Sequence, residues 1–176
     1  MKIIATITEQ DFDRQSTPDK WPNYRVRPGA RAVLLNDWGE IALMHVSKLG
    51  YYKLPGGGID EGESIIEGLM RELSEEVGVV SAKIVAEIGE VDEYRDAFET
   101  KAEHYAFLVQ LTDILDKPTR TQKEIDQGYK TVWVKGLDEA IKLVESGKPP
   151  ANGGYEYERL RELAILNHVK SLKLIN

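Results

Sequence analysis

The chain of 176 residues contains no cysteine. Disulfides, thiolate metal sites and a cysteine nucleophile are therefore excluded. No apolar run approaches the roughly 20 residues that a membrane-spanning helix needs. The apolar start of MKIIATITEQDFDRQ is too short for a secretory signal. A cytoplasmic location without a membrane partner is the default expectation. Histidine is scarce, and His45, His104 and His168 stand far apart without the spacing of a ligand set. Positive charge is in deficit, with 23 Lys and Arg against 30 Asp and Glu and a net charge of −7. This argues against a duplex nucleic-acid partner, which is held by cations that neutralise phosphates. It is compatible with a small phosphorylated substrate whose charge a metal offsets.

The remaining composition, 41% hydrophobic and 30% charged, is that of one soluble globular domain. Residues 1–28 read as an N-terminal extension packing on the domain, with a strand-like start from Lys2 to Ile7, and residues 29–176 as the single domain itself. Apolar runs at Arg31–Leu35 and Ile41–Val46 flank Asn36-Asp37-Trp38-Gly39, a hairpin turn signal. A short strand, Tyr51–Leu54, stops at Pro55-Gly56-Gly57-Gly58. A helix is expected from Ser64 to Val77 with Gly78 as its C-cap. Strands are expected at Ala82–Arg95, Ala102–Leu111 and Lys130–Val134, helices at Leu137–Ser146 and Tyr155–Leu172, and a polar loop over 112–129. Strands interleaved with helices give an α/β class with a mixed sheet and helices on both faces.

The expected helix at 64–77 carries an electrostatic conflict. Ile66, Leu69, Met70, Leu73 and Val77 form an apolar stripe at helical spacing. Beside it Glu72, Glu75 and Glu76 share an arc of roughly 100°. Like charges three or four apart on a helix destabilise it by about 0.2–0.5 kcal/mol per pair, so something positive belongs among them. A solvated acidic face is the plain alternative. Oxygen ligands without His or Cys nearby point to Mg²⁺ or Mn²⁺ rather than Zn²⁺.

The wider pattern is Gly57-x5-Glu63-x7-Arg71-Glu72-Leu73-x-Glu75-Glu76-x-Gly78-Val79. Its seven glycine and charged identities at about 7% each make a chance match on the order of 10⁻⁸ per start site. The pattern resembles the Nudix box of the Nudix hydrolase family, and the resemblance covers roughly residues 29–145. It implies the Nudix fold, an α/β/α sandwich around a central mixed β-sheet. It also implies Mg²⁺-dependent (or Mn²⁺-dependent) cleavage of a pyrophosphate bond by water attack on phosphorus. The substrate is then a nucleoside diphosphate linked to another moiety, or a nucleoside triphosphate.

Roles follow from the resemblance. Glu72 and Glu76 are expected metal ligands, with Glu75 a third, directly or through water, and a backbone carbonyl at Gly57 a fourth. Either Glu72 or an acid from a later loop serves as general base; Glu124 is the loop candidate and Asp126 its substitute. Arg71 and Glu63 orient the ligand carboxylates, and Arg71 can also pair with Glu67 one turn earlier. Tyr94, His104 and Tyr105 are candidate substrate contacts, each equally readable as core or sheet surface. Family members that hydrolyse dinucleoside polyphosphates tend to carry a Tyr near the position of Tyr94, and ADP-sugar hydrolases a Pro, which is absent between the box and Pro118.

Two other readings stand beside the enzyme. One is a non-catalytic ligand-binding or regulatory Nudix domain, which usually loses box carboxylates; here all are present. The other is an isoprenyl diphosphate isomerase on the same fold, an activity that leans on a cysteine. The N-terminal extension or the last helix could build a homodimer, as relatives do. Glu76→Gln is expected to abolish turnover and leave the fold intact.

Overall fold

A computed structural model describes residues 1–113, 117–150 and 154–175. Residues 114–116, within the expected 112–129 loop, lie outside the described residues. The strands are β1 (Ile3–Ile7), β2 (Arg25–Leu35), β3 (Glu40–Val46), β4 (Tyr51–Lys53), β5 (Ala82–Arg95), β6 (Thr100–Leu111) and β7 (Tyr129–Lys135). The helices are α1 (Ile65–Val77), α2 (Gln122–Asp126), α3 (Gly136–Ser146) and α4 (Tyr155–Leu172). All seven strands join one mixed sheet in the order β1-β5-β6-β2-β3-β4, with β7 pairing β3. Strands β1 and β5 are parallel, as are β2 and β6, and the other pairs are antiparallel.

Alternation along the strands builds two cores. Ala30, Ala32, Leu34, Phe107 and Val109 face α1 and bury Leu69, Leu73 and Val77. Val33, Leu35, Ile41, Leu43, Val91 and Leu108 face α3 and α4, where they meet Ala140, Val144, Ile165 and Val169. This is the expected α/β/α sandwich with its central mixed sheet. Among the described residues no helix is long and apolar enough to cross a membrane.

Three differences from the sequence reading have local causes. Strand β2 begins at Arg25, not Arg31. Pro28 and Gly29 are poor strand formers, but β6 pairs with this stretch in register from Arg25↔Thr100 onward. The loop at 112–129 contains α2, a helix of five residues, too short to announce itself by periodicity. The first 28 residues supply β1 and the start of β2, so they are woven into the sheet. The stretch between them runs to the β5–β6 turn, where Asp96 accepts hydrogen bonds from Thr17 N, Trp21 Nε1 and Tyr24 OH.

Candidate active site

Helix α1 is fixed at both ends by its sequence. Ser64 Oγ accepts from Glu67 N, and Glu67 Oε2 accepts from Ser64 N, a reciprocal N-cap. Gly78 closes the helix with φ of 84°, a left-handed conformation open to glycine. The capping role of Glu67 corrects one expectation, because Arg71 does not pair with it. Instead, Arg71 donates to Glu63 Oε1 at 2.8 Å, Glu72 Oε1 at 2.9 Å, Glu75 Oε2 at 3.2 Å and Gly58 O at 2.9 Å. These bonds hold the Glu63 carboxyl down at about 2, with hydrogen bonding from Arg71 the largest cause.

The segment before α1 lies along β2. Ala32 N donates to Pro55 O, Ala30 N to Gly57 O and Ile59 N to Pro28 O. This close approach needs bare glycines. A Cβ on Gly56 would stand 2.2 Å from Ala30 O, and a Cβ on Gly57 would stand 2.3 Å from the Glu72 carboxyl carbon. The Gly57 carbonyl accepts from both Ala30 N and Arg31 Nη1. A cation drawing on Gly57 O would therefore share it with Arg31.

Glu76 is buried, and a second cation meets it. Lys53 Nζ lies 2.8 Å from Glu76 Oε1, and Gly56 N donates to Glu76 Oε2 at 2.8 Å. Burial opposes the Lys53 charge, but Glu76, with Tyr129 and Glu158 adding to it, lifts the ammonium above the usual lysine range. Glu72 is partly buried, and that burial raises its carboxyl, with Arg71 opposing and Glu76 adding to the rise. Arg71 from their own helix and Lys53 from β4 thus offset part of the charge of the three crowded acids. Sequence reasoning missed Lys53. Its position two residues before Pro55-Gly56 was the available signal, since a strand ending there aims at the helix that follows the loop.

Arg120 is a second residue not foreseen. It donates to the α1 terminal carbonyl Glu76 O at 2.7 Å, to Tyr129 O and to Thr131 Oγ1. A cation on the last carbonyls of a helix satisfies orphan acceptors and complements the dipole. Nearby in sequence, Glu124 Oε2 accepts from Thr121 N at 2.7 Å and from Thr121 Oγ1 at 2.9 Å, which caps α2. Among the described residues no hydrogen bond joins Glu124 to the α1 carboxylates. Asp126 accepts from Gln122 of the same helix.

The substrate-contact candidates fall on two faces. His104 lies opposite Gly29 on the α4 side of the sheet, where a Cβ on Gly29 would stand 2.8 Å from His104 Nδ1 and 2.9 Å from Gly57 O. It is buried beside Arg161, whose Nη1 donates to Glu93 Oε1 at 2.9 Å and approaches His104 Nε2 at 3.1 Å. An arginine can only donate, so Nε2 accepts and the proton of the neutral ring sits on Nδ1. Burial, and then the Arg161 charge, lower His104 to about 3. Tyr94 and Tyr105 point to the α1 side. The Tyr94 ring stacks on Trp21 at 4.0 Å, and Tyr105 OH donates to Glu103. On that side Glu90, Asp92 and Glu103 offer oxygens within 4.8 Å of one another, a group that could hold a cation, and Lys101 bridges Asp92 and Glu103.

A cleft of about 880 Å³ opens on the α4 face beside Gly29 and Gly58. Arg25, Arg27, Arg31, Arg95 and Arg161 all line it, with Phe98 at its edge.

A glycine loop laid on a sheet feeds a helix that carries three carboxylates, the arrangement expected of a Nudix domain. The sequence model of the NUDIX domain matches residues 25–150, and the chain belongs to that family. It is similar to an RNA pyrophosphohydrolase of Wolbachia sp. subsp. Brugia malayi (strain TRS), 38% identical over 63 residues, which are 35% of this chain and 39% of the relative. It is also similar to Nudix hydrolase 25 of Arabidopsis thaliana, 41% identical over 70 residues, 38% of each chain. The chain thus spans about two-fifths of the length of these curated relatives. In fold it resembles a NUDIX hydrolase from Nitrosomonas europaea, with a TM-score of 0.63 at 18% identity over 85% of this chain and 91% of that one.

Proposed function

We propose that this chain is a Mg²⁺-dependent pyrophosphohydrolase that cleaves a nucleoside diphosphate linked to another moiety, or a nucleoside triphosphate. The observation that carries this reading is the packing of the Glu72 carboxylate against the bare Cα of Gly57. That space exists only because residue 57 lacks a side chain, and it lets the Glu72 carboxylate lie against the loop backbone. The donor set, all oxygen, fits a hard divalent cation. Glu72, Glu75 and Glu76 would hold it, with Gly57 O as a further ligand. A carboxylate has about four lone-pair sites, so the bonds from Arg71, Lys53 and Gly56 leave capacity on each of the three. The bound cation would offset charge on the diphosphate oxygens and lower the pKa of coordinated water.

The chain's own groups do the positioning. Arg71 holds Glu72 and Glu75 in one orientation and is itself fixed by Glu63 and Gly58 O. Lys53 and Gly56 N hold Glu76. Glu72 is the preferred acceptor of the proton from the attacking water, because the Glu124 carboxylate is committed to its own helix cap. A cytoplasmic location and a homodimer belong to the same proposed reading, and gel filtration tests the dimer.

The test uses Glu72→Gln rather than Glu76→Gln. The isosteric change at Glu76 would leave Lys53 buried without its counter-charge, so the fold would suffer too. Glu72 pairs with Arg71 near the surface and can lose its charge with less structural effect. Phosphate release is measured with Mg²⁺ over a panel of nucleoside triphosphates, including 8-oxo-dGTP, dinucleoside polyphosphates, ADP-ribose, nucleotide sugars and capped RNA. Glu72→Gln is expected to lower kcat at least about 100-fold. Unchanged turnover, or no hydrolysis of any panel member by the wild-type chain, would favour the binding-module reading.

A further inference from the structure

Glu76 is held at both ends. Its carboxylate accepts from Lys53 Nζ and Gly56 N. Its main-chain carbonyl accepts from Nε and Nη2 of Arg120, at 3.1 and 2.7 Å. The same guanidinium donates to Tyr129 O at 3.1 Å and to Thr131 Oγ1 at 2.9 Å. A planar fork bonded to three residues at once has little freedom left. Glu72 and Glu75 differ from Glu76 in this respect, since both take their bonds from Arg71 on their own helix.

Sheet register explains why the two holds converge. Met44 on β3 pairs with Lys53 on one side and with Thr131 on the other. Lys53, Met44 and Thr131 therefore form one row across β4, β3 and β7, and Met44 belongs to the core that packs on α1. The last turn of α1 spans this row. Lys53 meets the Glu76 carboxylate, while Thr131 and Arg120 meet its carbonyl. Tyr129 closes the circuit, because its carbonyl accepts from Arg120 and its ring lies 5.1 Å from Lys53 Nζ. The C-cap at Gly78 takes up Leu73 O and Ser74 O. Glu76 O is a further helix-end carbonyl without a partner in its own helix, and Arg120 supplies one.

We infer that Arg120 is a positioning residue for Glu76: it locks the last turn of α1 onto the Lys53–Met44–Thr131 row and so sets the place of one carboxylate in the divalent-cation site. This rests on the metal-dependent reading above and adds to that site a residue outside the box. Position and charge act in opposite senses here. A guanidinium near a cation site repels the cation, so loss of the charge alone would tighten metal binding. Loss of the fork frees Glu76 and weakens it. Removing a group that orients a metal-binding carboxylate typically costs about 10–100-fold in metal affinity.

The test is Mn²⁺ binding to the folded chain without substrate, read by EPR, with the melting temperature recorded alongside. Arg120→Lys keeps the charge and loses the fork, and Arg120→Gln loses the charge. Both should weaken Mn²⁺ binding at least about tenfold. Thr131→Val removes one acceptor of the fork and should weaken it by a smaller factor. Tighter binding in Arg120→Gln overturns the inference. So does a lower melting temperature with unchanged affinity, which would make Arg120 a helix cap and nothing more. Should both Arg120 variants fail to fold, unchanged affinity in Thr131→Val overturns it. A wild-type chain that binds no Mn²⁺ would overturn the metal-dependent reading itself, a result seen before any variant is made.

Discussion

Replacing Lys53 by methionine tests how the acidic helix is kept stable. The substitution keeps the apolar stem and removes the ammonium that lies 2.8 Å from Glu76 Oε1. Both partners are buried, with side-chain exposures of 8% and 1%. Glu76 would then keep one donor, Gly56 N, and no counter-charge. Breaking a buried pair on one side costs about 3–5 kcal/mol, a large part of the roughly 5–15 kcal/mol by which domains are stable. At about 2–4 °C per kcal/mol for a chain of this size, the melting temperature should fall by roughly 6–20 °C. Urea denaturation of wild type, Lys53→Met, Glu76→Gln and the double variant closes a thermodynamic cycle. The double variant should recover most of the loss, because the Gln carbonyl still accepts from Gly56 N. Mg²⁺ should raise the melting temperature of Lys53→Met more than that of wild type, because a cation bound by Glu76 replaces the missing charge. A single-variant cost below about 1 kcal/mol would refute the reasoning, since it would mean that water reaches Glu76 and the pair is effectively exposed.

Two further outcomes follow from the same site. Gly57→Ala would put a Cβ 2.3 Å from the Glu72 carboxyl carbon and should lower kcat/KM at least about tenfold. Gly58→Ala, with nothing within 4 Å of its Cβ, is the matched control, and equal effects at both would count against the Glu72–Gly57 contact. The second concerns pH. His104 titrates at about 3 in the fold, below its ordinary value near 6.5, so the unfolded chain binds the extra proton in between. The stability it allows is complete above pH 6.5 and is lost as pH falls toward 3, with Arg161 and Glu93 facing the ring. Burial pushes the Glu93 carboxyl up, but Arg161, His104 and Arg95 together hold it well below the usual carboxylate range, so its own loss begins lower. Between pH 6.5 and 4.5, His104→Gln should therefore lose roughly 2–3 kcal/mol less than wild type, read by urea denaturation at each pH; parallel curves would refute this.

Helix α1 and most strands were legible because their signals are local. Ser64 and Glu67 write one helix end, Gly78 writes the other, and Asn36 to Gly39 write a turn. The box acids were legible as a crowded set for the same reason. What joins them was not. Lys53 meets Glu76 across 23 residues of sequence, and Arg71 had several acids within reach, among which the cap at Ser64 removed Glu67. Helix α4 misled in another way. Arg161 and Glu162 carried no signal of their own in the sequence, yet both are fully buried and paired with each other, and Arg161 also donates to Glu93 on β5. Tyr94 and His104 are both on the β5–β6 pair, but strand parity sends them to opposite faces, and a one-residue offset in sequence is invisible until the register is known.

The parallel pairing of β1 with β5 has a consequence for assembly. Ile3–Ile7 docks beside Glu90–Glu93, so the first strand is made long before its partner. At about 5–20 residues per second, it waits roughly 4–17 s during synthesis with an apolar edge exposed. Contacts of such sequence separation slow folding. The closing of β1 onto β5 should thus be a late step, and a chain halted before β6 lacks the strand that joins the β1–β5 pair to β2.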